Sequence, residues 1–330
     1  MLYFHTAISV LQWARTMQLS DRIGLRMKLH DLHVLMAVAQ AGSMSKAAVL
    51  LNTTQPAISR SIAELERTIG VRLLERKPQG VEPTEYGRAL LKGGVAVFDD
   101  LRQAVKNIEF LADPTAGEVR IGCTPILAAS FVSAVVDRLS RRYPRIVFHL
   151  VTAYLEPLRH KLSERNLDLL IVRRFDSTAD ERLDCEFLFD DTYVVAAGAQ
   201  NQWVRRRRIE LAELASESWT LPPPETVIGS LAMEAFRASG LDYPRTTVVA
   251  DSPEARISLL ATGRFITIFP GSVLRFPTMR SEIKVLPVDL PMAHVQNVLV
   301  TLKNRPLSPV TRLFVECARE DAKTLAKKKK

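Results

Sequence analysis

Gln55, Ser59 and Arg60 are spaced as one face of a helix, and their side chains suit contact with a nucleic acid. Glutamine pairs with an adenine edge and arginine with a guanine edge or a phosphate, while serine is small enough to let a helix settle into a major groove. Ala63 and Glu64 continue that face one turn on. The opposite face carries Ala57, Ile58, Ile62, Leu65 and Ile69, an apolar stripe that must be covered. Thr54 suits the N-cap, and Pro56 falls in the first turn, where its missing N–H costs little. Upstream, Ser43 can cap a shorter helix with Ala47, Ala48, Leu50 and Leu51 pointing inward, and Asn52-Thr53-Thr54 then breaks the period as a tight turn. Two short helices joined this way make a helix-turn-helix. Leu29, Leu32, Val34, Leu35, Val38 and Ala39 predict a further helix that braces the pair.

Arg72 to Arg76 and Pro78 to Thr84 read as two short extended pieces around Gln79-Gly80, a wing. Arg76 and Lys77 stand at its start, where a cation reaches a phosphate or the minor groove; the alternative is a solvated charged turn. The marks Ala47-Ala48, Thr54-Gln55-Pro56-Ala57-Ile58-Ser59-Arg60, Ile62, Leu65-Glu66, Ile69-Gly70-Val71, Leu73-Leu74-Glu75-Arg76 and Pro83-Thr84-Glu85-Tyr86-Gly87 then carry a resemblance. They resemble the winged helix-turn-helix of LysR-type transcriptional regulators, and the likeness extends more weakly from about Lys28 to about Glu320. It implies double-stranded DNA as a partner, met by Ser43, Thr54, Gln55, Pro56, Ser59, Arg60, Arg76 and Lys77. The fold it implies is an α-rich winged helix-turn-helix followed by an α/β effector domain of the two-lobed periplasmic-binding-protein type 2.

The net charge of +9 invites the same conclusion but carries little weight, because Arg205 to Arg208 and Lys327 to Lys330 supply eight of the nine charges. From Met27 to Gly94 nine basic residues face six acidic ones, a modest local excess that suits salt-sensitive phosphate contact. Arg205 to Arg208 read as a solvated face before a surface helix at Ile209, or as a second contact for DNA or a partner. Cys123, Cys185 and Cys317 are widely spaced without a CxxC pattern and read as reduced thiols, with a redox switch as the alternative. No apolar run reaches the ~18 residues of a membrane span, so a cytoplasmic protein that meets no membrane is expected.

Residues 1–26 are read as an extension, with the natural start at Met27; an amphipathic segment packing on the DNA-binding domain is the alternative. Residues 27–86 form the DNA-binding domain and 87–116 a linker helix. Leu91, Phe98, Val105 and Ala112 share one heptad position on it, with Gly94, Leu101 and Ile108 on the matching one. That seam predicts a dimerisation helix, Gly94 permitting close approach; otherwise it packs on its own protein. The resemblance implies a homodimer or homotetramer. Asp113 to Gly117 end the helix and begin a hinge.

Beyond Gly117 strands and helices alternate as in an α/β domain with a mostly parallel sheet. Residues 117–322 are divided into lobe I, about 117–189 and 294–322, and lobe II, about 190–293, closing with a helix to about Ala322; 323–330 form a basic tail, of which Lys327 to Lys330 are read as disordered. The first lobe is read as strand 118–123, helix 125–142, strand 146–151, helix 155–163 and strand 169–172. Such two-lobed folds resemble effector domains whose ligands sit at the carboxyl ends of strands. Thr124 and Pro125 then follow the first strand, and Arg173 and Arg174 end a buried one, poised to clamp a carboxylate or phosphate or to form an interlobe salt bridge. On the second lobe Gly229 and Ser230 open one helix, Ser252 precedes another, and Phe265 supplies apolar wall. This stretch is similar to the subgroup named for a galactose-binding-protein regulator, which implies an anionic metabolite, a sugar or an aromatic acid as effector. No GxSxG, P-loop, GxGxxG after a strand, HExxH or paired metal-ligand spacing is present, so neither an enzyme nor a cofactor is expected.

Overall fold

The computed structural model describes residues 26–78, 80–174, 180–275, 283–291 and 294–327. The extension at residues 1–25, Gln79 in the wing and the last three lysines lie outside the described residues. The chain divides into two compact units, residues 1–101 and 102–330.

In the first unit, helices α1 (Leu29–Ala41), α2 (Met44–Leu50) and α3 (Gln55–Ile69) enclose one apolar core. Ser43 and Thr54 cap α2 and α3, accepting from the amides of Lys46 and Ala57 at 3.5 and 3.4 Å. Gly42 and Gly70 end α1 and α3 in the left-handed conformation that glycine adopts without steric cost. Ile58, Ile62 and Leu65 are buried, each removing side-chain surface worth roughly 1.5–3 kcal/mol. The inward face of α2 is narrower than the sequence reading: Ala47 and Ala48 are buried, but Leu50 is 60 % exposed, because a seven-residue helix turns it past the core. Leu29 is likewise exposed, at the very start of α1. The hairpin β1 (Leu74–Lys77) and β2 (Gly80–Pro83) forms the wing. Glu66 ties it to α3, its carboxylate accepting from the amides of Leu73 and Leu74 at 2.7 and 3.2 Å.

Helix α4 (Glu85–Ala112) continues from the wing. Its seam is split. Leu91 and Phe98 pack on the helix-turn-helix core, and a Cβ on Gly94 would stand 3.1 Å from Leu32. Gly94 therefore lets α4 approach its own α1, not a second chain. Further on, Leu101, Val105, Ile108 and Leu111 are 44, 52, 66 and 82 % exposed.

The second unit carries two five-stranded sheets. Lobe I has the order β4-β3-β5-β12-β6, from β3 (Ala116–Cys123), β4 (Arg145–Thr152), β5 (Leu169–Arg173), β6 (Leu183–Asp191) and β12 (Val295–Leu302). Lobe II has the order β11-β7-β10-β8-β9, from β7 (Tyr193–Gly198), β8 (Trp219–Leu221), β9 (Thr246–Val249), β10 (Ile266–Pro270) and β11 (Ile283–Val285). In each sheet four strands share a direction and one, β12 or β7, runs against them. The reversed strand is the one that has just crossed from the other lobe. Thr192 alone separates β6 from β7, and the returning β12 pairs beside β6, Val295 opposite Asp191.

The helices are α5 (Ser133–Arg142), α6 (Leu155–Ser163), α7 (Val227–Ala238), α8 (Pro253–Ala261) and α9 (Pro309–Lys327). Three expectations are corrected here. The run from Pro125 to Arg142 is interrupted by a π-turn at Ala128–Val132. Residues 209–214 give only a 3₁₀ turn, Leu211–Leu214, closed by a capping box between Glu210 and Glu213. The closing helix, expected to end near Ala322, runs on into the basic tail as far as Lys327.

Candidate functional site

On α3, Gln55, Pro56, Arg60 and Ala63 are exposed and Ser59 is half-buried, so the polar face opposite the Ile58-Ile62-Leu65 stripe is open. Glu64 is held by Arg67 through contacts of 2.6 Å. Ser43 and Thr54 sit at the starts of α2 and α3, where their hydroxyl oxygens accept backbone amides. On the wing Arg76 is exposed, while Lys77 pairs across the hairpin with Glu82 at 3.0 Å, which holds its ammonium above the ordinary lysine range.

In the second unit a cavity of about 520 Å³ opens between the two sheets. It lies where the parallel strands of both lobes end. Thr124 follows β3, Tyr154 follows β4, and Arg173 and Arg174 close β5; from lobe II, Pro222 follows β8, Asp251 follows β9, and Pro270 ends β10. Tyr193 and Val295, which begin the reversed strands, complete the seam between lobes. Val172, Val227, Ile228 and Ile268 supply apolar wall. At the mouth the Tyr154 hydroxyl donates to Asp251 at 3.0 Å, a bond from one lobe to the other.

Of the sequence-nominated residues Thr124, Pro125, Arg173 and Arg174 line this cavity. Arg174 donates to the Gln296 side chain at 2.6 Å, and the Arg173 guanidinium lies 5.7 Å from the centre of the Tyr193 ring. Gly229, Ser230, Ser252 and Phe265 do not line it. A Cβ on Gly229 would fall 2.0 Å from the Pro223 carbonyl oxygen, so this glycine lets α7 close on the proline loop. Ser230 turns its hydroxyl back to the Val227 carbonyl at 3.0 Å. Ser252 caps α8, accepting from the Ala255 amide at 3.1 Å and donating to Glu254 at 2.8 Å. Phe265 precedes β10 at the end away from the cleft and is buried in the core, whereas Ile268 and Pro270 at the other end reach the cavity.

Sequence reasoning missed Arg256 and Tyr193. Arg256 is only 6 % exposed, stacks 4.8 Å from the centre of the Phe269 ring and donates from Nη1 to the Ile268 carbonyl at 3.3 Å. Burial, with repulsion from Arg173, lowers its pKa to about 10. Tyr193 is 5 % exposed, and burial raises its phenol well above the ordinary range. A signal for Arg256 did exist: Pro253, Arg256 and Leu260 are the buried residues of α8, so the arginine interrupts an apolar stripe at helical spacing.

No group of three or more His, Cys, Asp or Glu among the described residues is arranged to hold a metal ion. Burial pushes the Cys123 thiol up to about 12 and that of Cys317 up to about 11, away from the reactive thiolate. No described helix is long and apolar enough to cross a membrane.

Comparison with known proteins matches residues 29–88 to the bacterial regulatory helix-turn-helix protein, lysR family, and residues 112–323 to the LysR substrate binding domain. The HTH-type transcriptional regulator GbpR of Azospirillum brasilense is 25 % identical over 300 residues, covering 91 % of this chain and 88 % of that one. The regulator TdcA of Escherichia coli strain K12 is 25 % identical over 293 residues, covering 89 % and 93 %. Among solved structures, a full-length OxyR variant from Pseudomonas aeruginosa superposes with a TM-score of 0.60 at 21 % identity, covering 89 % of this chain and 95 % of that one. Full-length CbnR complexed with its target DNA superposes at 0.51 with 22 % identity, covering 90 % and 100 %. At those identities the structural likeness speaks for the fold.

Proposed function

This chain belongs to the LysR family of transcriptional regulators, and from that premise we propose which of its residues read DNA and where its effector sits. It is a DNA-binding regulator with an effector-binding domain, and its relatives are regulators, not enzymes. LysR regulators also oligomerise. The α3 face of Gln55, Ser59 and Arg60 enters a major groove and reads base edges, with Ser43, Thr54 and Pro56 at the helix starts close to the backbone. Arg76 and Lys77 on the wing meet phosphates, Lys77 exchanging Glu82 for that partner. Two chains pair through the exposed stripe Leu101, Val105, Ile108 and Leu111, giving a homodimer that can associate further; work on DNA puts the protein in the cytoplasm.

The effector occupies the interlobe cavity. Its volume of about 520 Å³ suits one small organic molecule of the size of a monosaccharide or an aromatic acid. Such a ligand would act by favouring one interlobe arrangement through differential affinity. The observation that carries this reading is the convergence of strand ends from both lobes on one cavity, within a chain whose first unit exposes a polar recognition face.

The test is gel-shift binding of the purified protein to the intergenic DNA beside its own gene, at several salt concentrations, against unrelated competitor. Retention that outlasts competitor is expected, with affinity falling as salt rises. Equal competition by unrelated DNA, repeated with a chain beginning at Met27, would overturn the assignment of this operator.

A further inference from the structure

Three residues that line the cavity carry buried polar atoms, each able to donate a hydrogen bond, that no described residue satisfies. Arg256 Nε and the hydroxyl of Tyr193 are buried without a hydrogen-bond partner among the described residues, and so is Thr124 Oγ1. All three residues line the same cavity as Arg173. Buried donors normally find acceptors, because an unmade bond forfeits the water that the group gave up on folding. Three such atoms around one cavity therefore describe the complement of what belongs there: a compact group rich in acceptors. Arg173 and Arg256 bring two guanidinium groups to the lining of this one cavity, so that group is an anion.

The arrangement is shared between lobes. Thr124 and Arg173 come from the ends of β3 and β5 in lobe I, Tyr193 and Arg256 from β7 and α8 in lobe II. Toward solvent the balance turns acidic, since Glu156, Glu225 and Asp251 line the cavity and are exposed, against one exposed cation, Arg174, which donates to Gln296. A second anionic group on the ligand would meet three carboxylates against that one arginine. Between the two ends lies apolar wall.

We propose that Arg173 and Arg256, with the hydroxyls of Thr124 and Tyr193, seat a single carboxylate of the effector. The effector is then a monocarboxylic acid with an apolar or uncharged body, and its carboxylate draws the two lobes together. This rests on the cleft being the effector site. It assigns Arg256 and Tyr193 as the residues that set specificity for an acid over its neutral analogues.

The experiment is a thermal-shift and calorimetric survey of the full chain with benzoate, salicylate, hydroxybutyrate and isovalerate, each beside its amide, and with glucose and phthalate. At least one monocarboxylate should raise Tm while its amide does not, and phthalate should act more weakly than benzoate. Arg256→Met and Arg173→Gln should each weaken that acid at least ~10-fold, and Tyr193→Phe by about 10-fold, while the unliganded Tm of each variant stays near the parent's. Arg256→Lys, which keeps the charge, should recover part of the loss. Equal binding of acid and amide, acid binding indifferent to both arginine substitutions, or no response to any acid would overturn the proposal. Val227→Trp, which fills the cavity from an exposed position, separates the two levels of the argument. A neutral compound whose binding it abolishes would leave the cleft as effector site and remove only the carboxylate seat, whereas binding untouched by it would remove both.

Discussion

Arg305 in lobe I and Arg256 in lobe II are buried to almost the same degree, at 7 and 6 % exposure, yet the chain treats them differently. Arg305 has an acceptor for each terminal nitrogen. Its Nη2 meets the Asp168 carboxylate at 3.0 Å and its Nη1 the Leu167 carbonyl at 2.6 Å, while the other Asp168 oxygen accepts from the Arg120 amide at 2.8 Å. Among the described residues Arg256 has one carbonyl, one aromatic face and an unpartnered Nε. The first arginine locks the start of β5 to the loop after β12. The second faces a cavity. Burial alone thus does not distinguish a structural arginine from one awaiting a ligand; the number of acceptors folded in with it does.

The most damaging way to probe this contrast is Asp168→Ala, which strands the Arg305 charge in the interior. A loss of about 3–5 kcal/mol is expected in chemical denaturation of the full chain, and a loss below ~1 kcal/mol would erase the distinction. A third kind of arginine sharpens it. Arg60 on α3 is exposed and already solvated, so Arg60→Ala should leave stability within ~0.5 kcal/mol and weaken specific DNA binding by ~1–3 kcal/mol in a salt-controlled gel shift.

Next in size is Tyr154→Phe, which removes the bond from lobe to lobe and should cost about 1 kcal/mol or less, read as faster hydrogen exchange in α8. Burial, then Asp251, raises the Tyr154 pKa above its ordinary value of 10.0. A phenol with a raised folded pKa keeps its contribution below that ordinary value and loses it as pH climbs through the shifted one, so cleft protection should be flat at neutral pH and fall above about pH 10. The smallest expected effect is that of Arg256→Met on the empty protein. Its stability should stay within ~1 kcal/mol of the parent, since Arg256 makes no ion pair among the described residues; a loss matching Asp168→Ala would make Arg256 structural.

The recognition helix was readable because its information is local. Cap, proline, apolar stripe and polar face all fall within Thr54 to Ile69, and each carries its own short-range physics. The cleft was readable only where a residue sits at a strand end, as Thr124, Arg173 and Arg174 do. Ser230 and Ser252 were nominated because helices open near them, but such hydroxyls satisfy the helix's own amides and carbonyls before any ligand arrives. Arg256 and Tyr193 escaped because they are 63 positions apart and only the sheet order of lobe II brings them to one cavity. Gly94 misled in the opposite sense. A glycine at a seam position signals close packing without naming the neighbour, which here is Leu32 of the same chain.

The lobes are joined by two crossings that lie side by side, Thr192 between β6 and β7 and the return into β12, with Val295 paired to Asp191. Two parallel links fastened along one line behave like the pin of a door: they resist twisting and sliding and leave one soft angle. The Asp191 carboxylate, accepting from the Ser272 amide at 3.0 Å, anchors one link to lobe II. Whatever enters the cavity then works on a single mechanical coordinate, so chemically different occupants can differ in how far they swing the leaves but not in the direction of swing.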